Sequence, residues 1–141
     1  MSDTTTTADG RPAVRLERRL PHPVATVWDA VTDPRHLSAW YPLAVVSLQP
    51  HVGGGVVFDD GEGTRYDATI TDYTPPTLFA FDEHDPESPG RENDDHLRIT
   101  LRPDADGCVL VLTHVPSDPD TVEGAATGWR GCLDALAAAL R

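Results

Sequence analysis

Six histidines, two cysteines and 23 acidic residues are the groups in this chain that could do chemistry, and most of their spacings match no reactive pattern. The histidines are His22, His36, His51, His84, His96 and His114. No two of them stand four apart on a helix, and there is no Cys-x-x-Cys, so no metal site is expected. Lysine is absent, which removes Schiff-base chemistry and any lysine nucleophile. Gly53-Gly54-Gly55 does not join a strand to a helix, so it reads as a turn rather than a phosphate cradle. No Gly-x-Ser-x-Gly elbow occurs. His114 is the group to weigh. It shares a strand face with Leu110 and Leu112, where an imidazole can hydrogen-bond a ligand or act as a base. The plainer alternative is a structural histidine near the sheet rim.

The elements that would position these groups follow from periodicity. Val14, Leu16 and Leu20 alternate as one face of a half-buried strand. Pro23 suits the first turn of a helix carrying Val24, Val27, Trp28 and Val31. Asp33-Pro34 ends it and opens a second, short helix to about Ala39, with Asp33 as N-cap. Strands are expected near 44–48, 56–59, 64–73, 78–81, 97–102 and 108–115. Val122, Ala126, Trp129, Leu133, Leu136 and Leu140 then recur at steps of three and four, the clearest helical stripe in the chain. Strands followed by one long helix indicate an α+β fold, the helix covering the apolar face of an antiparallel sheet.

Composition narrows the remainder. A chain of 141 residues suits one domain, here 12–141 behind a disordered polar tail, 1–11. The net charge of −12 argues against nucleic acid as a partner. No apolar run approaches the roughly 20 residues of a membrane span, and no export signal is seen, so a cytoplasmic location is expected. Cys108 and Cys132 then stand as free thiols. Residues 82–96 hold seven acids and read as a long, mobile, solvated loop. Its spacing is not that of a calcium-binding EF-hand.

Several short motifs, in order, carry a family resemblance. They are Val27-Trp28-Asp29-Ala30, Thr32-Asp33-Pro34, Trp40-Tyr41-Pro42, Val52-Gly53-Gly54, Thr74-Pro75-Pro76, Gly107 with Leu110-Val111-Leu112-Thr113-His114, and Gly128-Trp129. Together they resemble the SRPBCC (START-like) superfamily and, within it, the family named after the activator homologue of the Hsp90 ATPase. The resemblance implies a helix-grip fold. In that fold a curved antiparallel sheet of seven strands wraps a long C-terminal helix, with two short helices after the first strand. It also implies an internal apolar cavity. The residues expected to line it are Trp40, Phe58, Tyr66, Phe79, Phe81, Ile99, His114, Trp129 and Leu133. Trp40 and Trp129 fit equally well as packing, and Trp28 reads as core.

Three functions remain open. The first is a non-catalytic binder of a small apolar molecule, without cofactor or metal, as monomer or homodimer. The second is a cyclase- or aromatase-like enzyme using His114 with Tyr66 as an acid–base pair. The third is a stress-related or co-chaperone-like interaction module docking through the acidic stretch.

Overall fold

The computed structural model describes residues 3–87 and 90–141, except for the side chain of Arg91. Its elements run β1 (Thr4–Thr6), β2 (Pro12–Leu20), α1 (Val24–Thr32), α2 (Pro34–Leu37), β3 (Ala44–Leu48), β4 (Gly55–Asp59), β5 (Arg65–Thr74), β6 (Leu78–Glu83), β7 (Asp95–Asp104), β8 (Gly107–Val115) and α3 (Val122–Ala139). The strands form one sheet of order β1-β2-β8-β7-β6-β5-β4-β3, antiparallel throughout. This is the helix-grip arrangement, with eight strands rather than seven. The extra strand is β1, which pairs Thr4–Thr6 with Pro12–Val14 inside the stretch expected to be disordered. Backbone pairing, which the polar side chains of this segment do not announce, orders it.

Local chemistry sets the helix boundaries. The Pro23 carbonyl accepts from Thr26 and Val27, so Pro23 caps α1 instead of occupying its first turn. Asp33 closes α1 and opens α2, its carboxylate accepting from the Arg35 backbone N–H at 2.9 Å. Asp118 caps a 3₁₀ turn over Pro119–Thr121 that leads into α3. Residues 21–43 carry the chain from β2 to β3, the far edge of the sheet, so α1 and α2 bridge one end of it. Register shifts at Val45/Ser47 and Ile70/Asp72 add local twist on the β3–β6 side.

The concave face and the α3 stripe make the core. Phe58, Phe79, Phe81, Leu110 and Leu112 come from the sheet, and Ala126, Trp129, Leu133 and Leu136 from the helix. Trp28 packs edge-on against Phe79, with ring centres 6.5 Å apart. Val109, on the other face of β8, is also buried. Where β8 starts beside the end of β2, the backbones approach closely at Gly107. A Cβ there would lie 2.4 Å from the Leu20 carbonyl oxygen. Gly107→Ala is therefore expected to lower stability by about 1–3 kcal/mol, the usual cost of overpacking. Urea unfolding measures this, and an unchanged midpoint would contradict the close approach.

Candidate ligand cleft

Eighteen residues of helix do not cover the whole concave face. A cleft of about 450 Å³ is left between α3, the chain after α2, and the inner face of β5–β8. Its walls are Tyr41, Pro42, Leu43, Tyr66, Leu97, Ala125, Gly128, Trp129 and Cys132, with Glu83, Asp95 and His114 supplying polar groups.

Strand parity explains most of these placements. On β8, His114 continues the inward row of Leu110 and Leu112 and is 8% exposed. On β7, Asp95 precedes Leu97, Ile99 and Leu101 at the same parity. On β6, Glu83 follows Phe79 and Phe81 in the same way. Glu83 and Asp95 are also register partners across β6 and β7, so two carboxylates face each other on the concave side.

A chain of hydrogen bonds fixes the polar groups. The Trp129 indole N–H donates to His114 Nδ1 at 2.9 Å. Nδ1 must then be the acceptor nitrogen, and the ring proton sits on Nε2, 3.0 Å from Asp95 Oδ2. Asp95 Oδ1 accepts from the Ser117 backbone N–H at 2.8 Å. Burial opposes ionisation of Asp95, but the His114 and Ser117 bonds outweigh it and hold the carboxyl below the usual aspartate range. Glu83 behaves oppositely. Burial pushes its carboxyl up and the Asp95 charge adds to this, while the hydroxyl that Tyr41 donates to Oε2 at 3.1 Å, with His114 and His84 nearby, offsets only part. Burial, reinforced by Glu83, raises the Tyr41 hydroxyl well above the ordinary tyrosine value. Burial also raises the thiols of Cys132 and Cys108, which keeps them protonated and poorly nucleophilic.

Of the residues expected from sequence to line a cavity, Tyr66, His114 and Trp129 do so. The others lie elsewhere. Phe58, Phe79, Phe81, Ile99 and Leu133 are core side chains at 2% exposure or less. Trp40 donates its indole N–H to the Ala30 carbonyl at 2.9 Å and borders a separate hollow with His36, Leu136 and Leu140. Parity places a side chain on the inner face but does not say whether that face is covered there. The central contributor that sequence reasoning missed is Tyr41, which stacks on Phe58 at 4.8 Å and meets Trp129 edge-on at 5.5 Å. Extending the β6 and β7 parity by one step would have found Glu83 and Asp95.

The acidic stretch also differs from a long solvated loop. Asp82, Glu83, Asp95 and His96 belong to strands, and Asp82 meets His96 at 2.6 Å. Asp94 is buried, with Oδ1 3.0 Å from His84 Nδ1 but not in hydrogen-bonding geometry. Only Glu87 and Glu92 of these acids are well exposed, and residues 88–89 lie outside the described part. Among the described residues no group of three or more His, Cys, Asp or Glu side chains gathers to hold a metal ion. No described helix is long and apolar enough to cross a membrane.

Residues 21–141 match the family described as "Activator of Hsp90 ATPase homolog 1-like protein". The chain belongs to that family. Among solved structures, CalU16 from Micromonospora echinospora is 22% identical, with a TM-score of 0.76 over 97% of this chain and 82% of its own. CV1439 from Chromobacterium violaceum is 27% identical, with a TM-score of 0.73 over 91% of this chain and 96% of its own. DynU16, a protein of the dynemicin biosynthetic locus, is 25% identical with a TM-score of 0.77. The match covers 91% of this chain but only 46% of DynU16, so this family member spans about half of that longer relative. No curated protein matches.

The raised carboxyl of Glu83 makes a pH prediction. Between the ordinary glutamate value of 4.5 and the raised value of Glu83, the folded chain holds a proton that the unfolded chain has lost. The contribution of Glu83 to stability therefore falls as pH rises through that window. Glu83→Gln removes the titration and keeps an acceptor for Tyr41. The variant is expected to gain stability relative to wild type between about pH 4 and about pH 7.5, read by urea unfolding. An equal difference at both pH values would refute the burial of Glu83.

Proposed function

We propose that this protein binds a small, predominantly apolar molecule in the α3 cleft without transforming it. The observation that carries this reading is the cleft itself. Its volume of about 450 Å³ falls in the usual range for ligand sites, and aromatic and aliphatic walls surround a few fixed polar groups. The likeness to DynU16, from the dynemicin biosynthetic locus, is in keeping with a metabolite as the ligand.

The cyclase-like alternative needs a free base. His114 gives one ring nitrogen to Trp129 and the other to Asp95, so the pairing with Tyr66 supplies none as folded. The interaction-module alternative needs exposed charge; Asp94 is buried and Asp95 is held by His114 and Ser117, which leaves Glu87 and Glu92 as the well-exposed acids of the stretch.

An apolar fluorescent probe, N-phenyl-1-naphthylamine, tests the proposal directly. Its emission should rise when it enters the cleft of the wild-type protein. Gly128 lines the cleft, and a Cβ built on it meets no atom within 4 Å, so the first atom of Gly128→Phe is accommodated and its ring is expected to narrow the opening. The variant should fold at least as stably, since glycine is a poor helix former. Its affinity for the probe should drop about tenfold or more, a loss of ~1.4 kcal/mol of apolar contact. No probe binding by wild type, or equal binding by both proteins, would sink the proposal.

A further inference from the structure

We propose that the molecule taken by this cleft carries a cationic amine at one end, which the Glu83–Asp95 pair receives. The inference rests on the proposed ligand-binding reading and adds the chemical class of the ligand.

A second, polar chamber of about 280 Å³ adjoins the cleft, and Tyr66, Glu83 and Asp95 line both. His84, Asp85, Asn93 and Ser117 form part of the polar side. The cleft is thus mainly apolar and its neighbour acidic, with Glu83 and Asp95 at the seam between them.

The seam is electrostatically costly as it stands. Glu83 and Asp95 are direct partners across an antiparallel strand pair, where like charges destabilise. Asp95 has its two donors, from His114 and Ser117. Glu83 accepts the Tyr41 hydroxyl through Oε2. Among the described residues no arginine lines either chamber, and the chain has no lysine. Two imidazoles stand near the seam, and each is engaged by partners other than Glu83. His114 accepts the Trp129 N–H at Nδ1 and faces Asp95 with Nε2. His84 keeps Nε2 against Thr69 at 2.8 Å and Nδ1 against Asp94.

A primary ammonium answers each of these features. It has three N–H donors and a positive charge, so it can serve both carboxylates while its apolar body lies against Leu97, Ala125 and Trp129. A carboxylate or phosphate end would bring a third negative group to the same place.

Three competitors of one chain length separate the possibilities: decylamine, 1-decanol and decanoate, each displacing N-phenyl-1-naphthylamine at neutral pH. Decylamine should compete about tenfold better than decanol, the size of one hydrogen bond to a charged group, and decanoate should compete worst. In Glu83→Gln, the advantage of the amine over the alcohol should largely disappear. If decanol displaces the probe but decylamine does no better than decanol or decanoate, the amine assignment is wrong and apolar binding stands. The assignment is equally wrong if Glu83→Gln leaves the full preference in place. If neither the probe nor any competitor binds, the apolar reading fails and this proposal fails with it.

Discussion

An antiparallel sheet with one apolar face must bury that face, and this chain has a single 18-residue helix with which to do so. Eight strands at about 4.8 Å spacing make a sheet roughly 34 Å across, against a helix of about 10–12 Å. The mismatch cannot be met by flat packing. The sheet curls instead, helped by the two register shifts between β3 and β6, and α1 and α2 bridge its end. Even so, part of the concave face stays uncovered. The cleft is that remainder, so it arises from the same constraint that shapes the fold.

The Trp129–His114–Asp95–Ser117 chain ties this constraint to the polar side of the cleft. It joins α3 to β8, β8 to the start of β7, and β7 to the segment that leads back into α3. Each link also consumes reactivity. The imidazole becomes a relay between a donor and an acceptor, which suits a fixed wall better than a base. Glu83 is left with its needs only partly met. It is buried and opposed by Asp95, and the Tyr41 hydroxyl offsets only part of that cost. Unfavourable electrostatics of this kind tend to gather at functional sites, because the ligand can supply what the fold withholds.

The acidic stretch shows how composition alone misleads. Seven acids within fifteen residues suggest solvated chain. Yet four members of the stretch, Asp82, Glu83, Asp95 and His96, are strand residues paired across β6 and β7. Pairing to a neighbouring strand settles where a carboxylate points, and local charge density carries no information about that.

By itself, the sequence determined the α+β class, the order of elements, the Asp33-Pro34 joint and the α3 stripe. All of these follow from periodicity and local backbone chemistry, which act over a few residues. It also put His114 and Tyr66 on the inner face through strand parity. Tertiary structure decided which inner residues meet open space. Phe58, Phe79, Phe81, Ile99 and Leu133 share that face and are sealed, while Tyr41, Glu83 and Asp95 border the cleft. It also decided that Thr4–Thr6 would become a strand, since β1 exists only through its pairing with β2. The physical reason is one of range. Facing is set by the twofold repeat of a strand, but coverage depends on where a distant helix comes to rest.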